Sequence, residues 1–256
     1  MKTIGIIGGL GPETTAEFYL DLVKECRKSN AESYPSIVIH NIPLPFLLEN
    51  NAILYGQKSD LDKQLSYLLE SARLLEKAGA DFGVIPCNTV HIYIDEIRKS
   101  VRMPFLSIIE ATVEFARAKN WKKIALLGTK ATITSGIYDK EFGSHSIEIL
   151  KPNFEDQESL SEIILHILRG EKSMQDKETV LRIVKKLEAE GAEAVILGCT
   201  DFQLLLNEKD FDIPIVDTVE VLVKKSAETI LSSAYLDRVI EKEFIEHVPN
   251  SSVRSA

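Results

Sequence analysis

The sequence repeats one pattern in Leu75-Glu-Lys-Ala-Gly-Ala-Asp-Phe-Gly-Val-Ile-Pro-Cys-Asn-Thr89 and, 112 positions later, in Leu187-Glu-Ala-Glu-Gly-Ala-Glu-Ala-Val-Ile-Leu-Gly-Cys-Thr-Asp201. Each copy begins as a helix that a glycine ends, continues as an apolar strand and places a cysteine at the carboxyl end of that strand. The two stretches therefore predict the same helix–strand unit in both halves of the chain.

Two further matches occur in the same order along the chain. Ile4-Gly-Ile-Ile-Gly8 matches Ile124-Ala-Leu-Leu-Gly128, and Met103-Pro-Phe-Leu-Ser-Ile-Ile-Glu110 matches Ile213-Pro-Ile-Val-Asp-Thr-Val-Glu220. Three matched segments in one order indicate two halves of like topology. We expect an N-terminal domain of residues 1–111 plus 216–232, a C-terminal domain of residues 112–215 and an extension of residues 233–256.

Apolar runs of strand length alternate with segments of helical periodicity. Strands that are apolar throughout suit parallel sheets covered on both faces, so the alternation predicts an α/β fold. Residues 41–56 and 151–158 have the composition of coil. The predicted strands are Ile4–Ile7, Ser36–His40, Phe82–Pro86, Phe105–Ile108, Ile124–Leu127, Ala194–Leu197 and Ile213–Val216.

Composition and charge exclude several classes of protein. The 256 residues include 30 Lys and Arg against 39 Asp and Glu, a net charge of −9, which argues against nucleic-acid binding. No apolar run approaches the ~20 residues of a membrane span, and three cysteines without a C-x-x-C pair suggest neither a disulfide scaffold nor a metal site. The glycine fingerprint of dinucleotide-binding proteins is incomplete, because Thr14 stands where a third glycine should follow Gly9 and Gly11. The Walker pattern of phosphate-binding loops is absent. We expect a cytoplasmic protein without cofactor or metal.

The two repeated cysteines predict proton-transfer chemistry. Parallel sheets bind ligands beyond the carboxyl ends of their strands, so Cys87 and Cys199 would face each other across one ligand. A thiol can exchange protons near physiological pH, and two thiols on opposite sides of a carbon could invert it. A single cysteine after an apolar strand is more often a core residue, but here the repeat supplies a matched pair. Cys26 lies in the first predicted helix without a repeat partner, and we interpret it as a packing residue.

These residues resemble the aspartate/glutamate racemase superfamily, and among its members the pyridoxal-phosphate-independent aspartate racemases. The resemblance covers residues 1–232. It implies two pseudo-symmetric flavodoxin-like domains with an active-site cleft between them, a cofactor-free mechanism with Cys87 and Cys199 as the acid/base pair, and a homodimer. The motifs that carry it are Gly8-Gly-Leu-Gly-Pro12 with Thr14-Thr15, Pro86-Cys-Asn-Thr-Val-His91, Gly128-Thr129 with Thr132, and Gly198-Cys-Thr-Asp201.

Several neighbours of the cysteines are candidate substrate-binding residues. Asn88, Thr89 and Thr200 lie where a strand gives way to a helix, so they could hold a carboxylate or simply cap the helix. Thr129 and Thr132 resemble a second anion site, for a substrate side chain, with capping again the alternative. The remaining candidates that the resemblance suggests are Gly11, Val90, Asn50 and Lys172.

The sequence departs from the aspartate racemases in the segment that would bind the distal carboxylate of an acidic substrate. Many aspartate racemases carry an arginine for the distal carboxylate after the second strand, whereas residues 41–56 contain no Arg or Lys. The preferred interpretation is racemisation of aspartate, or of glutamate. The alternatives are isomerisation, decarboxylation or hydantoin racemisation within the superfamily, and a non-catalytic metabolite-binding protein.

Overall fold

A computed structural model describes residues 1–29 and 33–232; the predicted extension of residues 233–256 lies outside the described residues. The strands are β1 (Ile4–Gly8), β2 (Ile37–Asn41), β3 (Phe82–Val84), β4 (Lys123–Leu127), β5 (Glu148–Leu150), β6 (Ala194–Leu197) and β7 (Ile215–Asp217). The helices are α1 (Pro12–Ser29), α2 (Phe46–Leu54), α3 (Lys58–Lys77), α4 (Ile94–Ser100), α5 (Ile108–Ala118), α6 (Lys130–Ser135), α7 (Ile137–Gly143), α8 (Phe154–Leu168), α9 (Met174–Ala189) and α10 (Thr218–Leu231).

The strands form two parallel sheets with orders β2-β1-β3 and β5-β4-β6-β7. Ile4 pairs with Phe82 in the first sheet, and Ile124 pairs with Ala194 in the second, which is the register that the repeat predicts. Helices flank both sheets. The predicted α/β fold of two like halves is confirmed. Within the described ranges no helix is long and apolar enough to cross a membrane.

The predicted strand at Phe105–Ile108 is wrong in its extent. Phe105 makes a single parallel bridge to Gly83, and α5 already begins at Ile108. The Ser107 hydroxyl accepts hydrogen bonds from the backbone N–H groups of Ile109 (3.2 Å) and Glu110 (3.3 Å), so a cap ends the extended backbone. Asp217 caps α10 in the same way, 110 positions later. The repeat thus extends to the cap that follows the last strand of each half.

Two segments of predicted coil contain helices. In residues 41–56 the prolines at positions 43 and 45 hide α2, which starts directly after Pro45. In residues 151–158, α8 begins at Phe154, since the Asn153 side chain accepts a hydrogen bond from the N–H of Asp156 at 2.9 Å. Composition alone misjudged both segments because helix starts favour the same polar residues and prolines as loops.

Helices cross between the halves at two places. α10 follows the last strand of the second sheet but packs against α1 and α5, and its apolar face shares one buried cluster with them. α2 follows β2 of the first sheet but packs against α6 and α8 of the second half. The proposed limit between residues 215 and 216 falls inside β7, and the domain limits stay a prediction.

Candidate active site

A cavity lies between the halves, beyond the carboxyl ends of β3 and β6. Both repeated cysteines contribute to its wall. The lining residues are Leu10, Leu44, Glu49, Ala52, Ile53, Gln64, Cys87, Asn88, Thr89, Val90, Thr129, Gly198, Cys199, Thr200 and Asp201.

Cys87 lies in the turn between β3 and the 3₁₀ turn Thr89–Tyr93. Burial raises the pKa of its thiol to about 12, and backbone N–H groups of Val90 and Thr89 work against that rise by hydrogen bonding to the sulfur. Backbone donors favour the charged form of the group they contact. The turn therefore offers Cys87 specific stabilisation as a thiolate.

Cys199 occupies the equivalent position after β6 and is buried. Its Sγ–H donates a hydrogen bond to Asp201 Oδ2 at 3.3 Å. Burial raises the pKa of the Cys199 thiol well above its ordinary value, and the negative charge of Asp201 raises it further. This turn holds Cys199 as a protonated thiol.

His91 supports the Cys87 turn through its backbone. The N–H of Ile108 donates to Nε2 at 3.1 Å, so the ring proton lies on Nδ1, which donates to the Cys87 carbonyl at 2.8 Å. Burial lowers the pKa of His91 to about 4, and the ring stays neutral. His91 thus joins the Cys87 turn to the start of α5 and does not contact the thiol itself.

Asn88 connects the two halves beneath the cavity. Its Oδ1 accepts from the Tyr138 hydroxyl at 2.7 Å, and its Nδ2 donates to Thr218 Oγ1 at 3.0 Å. Thr218 in turn donates to the Leu197 carbonyl at 3.2 Å. One amide N–H of Asn88 remains available to a ligand.

Three threonine hydroxyls form a closed ring at the cavity wall. The Oγ1 atoms of Thr89, Thr129 and Thr132 are 3.0, 2.9 and 3.0 Å apart, and Thr129 Oγ1 also accepts the N–H of Thr132 as the cap of α6. Three contacts use all three hydroxyl hydrogens, so the ring keeps spare lone pairs and no spare donor. Thr129 therefore caps α6 and also belongs to the ring. In this arrangement the ring can accept further hydrogen bonds from a ligand but cannot donate any.

A second hydroxyl pair joins α1 to Thr200 of the cavity wall. Thr14 Oγ1 on α1 lies 3.1 Å from Thr200 Oγ1, and one contact uses one of the two hydrogens. The pair therefore keeps one O–H that can donate to a ligand. Thr14 stood in the motif of the first turn, but the sequence offered no reason to place it against Thr200.

The cavity wall carries two carboxyl groups. Burial raises the pKa of Glu49, and the charge of Asp201 is the second cause, while the Gly11 backbone N–H works against the rise by donating to the Glu49 carboxylate. Burial likewise raises the pKa of Asp201. Among the described lining residues there is no Lys, Arg or His. Sequence reasoning missed both carboxylates as site residues.

The structure places four of the candidate residues away from the lining. Asn50 follows Glu49 on α2, and the helical turn presents Glu49 to the cavity instead. Lys172 is exposed, and its Nζ donates to the Leu204 carbonyl at 3.0 Å. Gly11 acts through its N–H on Glu49, and Thr132 acts through the hydroxyl ring. The other candidates line one cavity: Cys87, Asn88, Thr89, Val90, Thr129, Cys199 and Thr200.

Known proteins resemble this chain in sequence and in fold. The family model described as Asp/Glu/Hydantoin racemase matches residues 7–226. The chain is 30% identical over 233 residues to the broad specificity amino-acid racemase RacX of Bacillus subtilis (strain 168), covering 90% of this chain and 98% of that one. Among solved structures, an aspartate racemase homologue from Pyrococcus horikoshii OT3 superposes with a TM-score of 0.72 at 32% identity, covering 90% and 99% of the two chains. The aspartate racemase of Picrophilus torridus gives 0.69 at 26% identity, covering 89% and 94%.

Proposed function

The chain belongs to the Asp/Glu/hydantoin racemase family, and we propose that it racemises a free amino acid without a cofactor, by proton transfer between Cys87 and Cys199. One observation carries the proposal: two cysteines at equivalent positions of an internal repeat line the same cavity. The homodimer that the resemblance implies stays a prediction, to be tested by measuring the molar mass in solution.

The reaction needs one thiolate and one thiol on opposite sides of the substrate α-carbon. The thiolate takes the α-proton, which breaks the C–H bond and leaves the electron pair delocalised into the α-carboxylate. The opposite thiol then donates its proton to the other face of the carbon and becomes the thiolate. Each turnover exchanges the protonation states of the two sulfurs, so the pair serves both enantiomers.

Donors at the cavity wall match the charge that develops on the α-carboxylate. The free amide N–H of Asn88 and the spare hydroxyl hydrogen of the Thr14–Thr200 pair both lie at the strand ends beside the cysteines. Fixed donors stabilise an enediolate as an oxyanion hole stabilises a tetrahedral intermediate. Asn88 is held at both ends of its amide, so this donor is positioned before the substrate arrives.

The raised thiol pKa values require the substrate to assist ionisation. Burial disfavours the thiolate of Cys87 while the cavity holds no opposite charge. The α-ammonium group of a bound amino acid supplies such a charge and lowers the pKa of a neighbouring thiol. We therefore expect the thiolate to form mainly in the enzyme–substrate complex.

The decisive experiment follows α-proton exchange in D₂O by NMR over a panel of enantiopure amino acids. The protein is first dialysed against a chelator and assayed without pyridoxal phosphate or nucleotide. We expect exchange accompanied by loss of optical purity for at least one amino acid. Binding without exchange would instead support a metabolite-binding protein, and activity restored only by an added metal would refute the cofactor-free mechanism.

The resemblance implies aspartate as the substrate, and aspartate and glutamate form one arm of that panel. A distal carboxylate would need cationic or donor groups, and the described lining offers carboxyls and a hydroxyl ring without a spare donor. Substrate class is therefore a separate question from racemisation itself.

A further inference from the structure

We propose that the cavity selects amino acids whose side chain ends in a positive charge, with the Glu49 carboxylate as the group that binds it. This inference rests on the proposed function, since it names the substrate class of the same site. It is carried by the charges on the cavity wall and by the hydrogen-bonding capacity of the threonine ring.

The charges on the wall are all negative. Glu49 and Asp201 line the cavity, and the described lining contains no cationic side chain. Burial raises the pKa of both carboxyls, and neighbouring negative charges raise it further: Asp201 and Glu13 act on Glu49, and Glu13 and Glu17 act on Asp201. Carboxylates from α2 and the Cys199 turn therefore line the cavity, and the exposed Glu13 and Glu17 of α1 add negative charge near them.

An amino acid's α-ammonium group can neutralise only one of these charges. Asp201 already accepts the Cys199 Sγ–H and lies two residues from the reacting sulfur, beside the place of the α-carbon. Glu49 comes from a different element, α2, and has no side-chain ion pair in the described chain. A second positive charge on the ligand would pair with the Glu49 carboxylate. This pairing would offset the free-energy cost of burying the carboxylate in its charged form.

The threonine ring points to the same ligand chemistry. Because its three hydrogens are used within the ring, it presents lone pairs to the cavity through Thr89. Lone pairs accept from an ammonium or guanidinium group, whereas a carboxylate would have to break a ring contact to find a donor. An acidic side chain would thus meet two carboxyls and an acceptor surface.

The test compares isosteric ligands for binding and for turnover. Racemic ornithine, racemic norleucine, in which a methyl group replaces the ammonium, and racemic glutamate are titrated calorimetrically into the wild-type chain, Glu49→Gln and Glu162→Gln. Racemic mixtures keep the ligand composition constant during the titration. Glu162 is exposed on α8, so its change to Gln is the matched control for losing one negative charge.

We expect wild-type Kd for ornithine at least tenfold below that for norleucine, with glutamate binding more weakly than either. Glu49→Gln should reduce the preference for ornithine over norleucine at least tenfold, whereas Glu162→Gln should leave that preference unchanged. Where turnover is measured, the effect of Glu49→Gln should appear mainly in KM. Tighter binding of glutamate, or an ornithine preference that survives Glu49→Gln, would overturn the inference. Because binding is measured directly, these outcomes hold whether or not α-proton exchange is detected, so failure of the proposed function is seen separately.

Discussion

The turns that follow the two cysteines have the same backbone plan but different chemistry. A cysteine follows β3 and β6 within three residues, and a 3₁₀ turn comes next, Thr89–Tyr93 in the first half and Thr200–Leu204 in the second. By the repeat offset, Thr89 of the first turn corresponds to Asp201 of the second. Thr89 joins the hydroxyl ring, whereas Asp201 accepts the thiol proton of its own cysteine.

The repeat thus places the two cysteines at equivalent positions, whereas single residues next to each cysteine give the two sulfurs different electrostatic surroundings. Burial raises the pKa of both thiols, but Cys87 has two backbone donors on its sulfur and no carboxylate on its own turn, so its environment disfavours the thiolate less than that of Cys199. Cys199 has an acceptor for its proton, so its environment favours the thiol. When the pair loses one proton in the enzyme–substrate complex, we expect the remaining proton to lie on Cys199.

Removing either sulfur should have the largest effect. Cys87→Ser and Cys199→Ser should each lower kcat/KM for racemisation by about 10²–10⁴-fold or more, because a serine hydroxyl is far less acidic than a thiol. Each variant should retain at most slow exchange of the α-proton of one enantiomer, opposite for the two variants. The measurement is optical rotation together with exchange in D₂O.

The control for the cysteine variants is Cys26→Ala, which removes the buried thiol of α1. It should keep kcat/KM while lowering thermal stability through the small cavity it leaves. Racemisation within tenfold of the parent in either Cys87→Ser or Cys199→Ser would refute the two-thiol mechanism.

Changing Asp201 should erase much of the asymmetry between the turns. Asp201→Asn removes a charged hydrogen-bond acceptor from Cys199, and we expect kcat/KM to fall about tenfold. The fall must be equal for both directions, since the equilibrium constant of racemisation is one. The loss of negative charge also lowers the pKa of Cys199, so the decline of kcat/KM at high pH should move to lower pH.

The matched control is Asp212→Asn, an exposed carboxylate outside the cavity. Its pH profile of kcat/KM should coincide with that of the wild type. A high-pH decline that stays in place in Asp201→Asn would show that Asp201 does not set the ionisation of Cys199.

The smallest effect concerns His91, which corresponds to Gln203 in the second turn. A glutamine amide can accept from the Ile108 N–H and donate to the Cys87 carbonyl, so His91→Gln should retain activity. The wild-type ring has a pKa lowered to about 4 and gains a proton on unfolding. Its contribution to stability is complete above pH 6.5 and is lost as the pH falls towards 4.

Urea unfolding at pH 7.5 and pH 5 measures this contribution. Between those two pH values, His91 should account for about 2 kcal/mol of the decrease in the free energy of unfolding. His91→Gln should remove that share of the decrease, while His91→Leu, which leaves two buried polar groups unpaired, should destabilise the protein at both pH values. An unchanged pH dependence in His91→Gln would show that the ring titrates normally.

The sequence predicted most of the strands, the repeat and the convergence of both cysteines, because apolar strands and helix-ending glycines leave strong periodic signals. It could not predict that Glu49 rather than Asn50 lines the cavity, since that choice depends on the phase of α2, a helix hidden behind Pro45. It also could not predict the threonine ring. The Thr89 hydroxyl meets hydroxyls 40 and 43 positions away there only through the packing of the two halves.

The path of α10 limits how far the two halves can be regarded as modules. A duplicated unit would be expected to survive on its own, with each copy carrying its complete core. Here the helix that completes the second copy covers α1 and α5 of the first, so the apolar face of α1 would be exposed in a fragment cut at the repeat boundary. Each half therefore depends on the other for part of its core, and only the joined chain keeps both apolar faces covered.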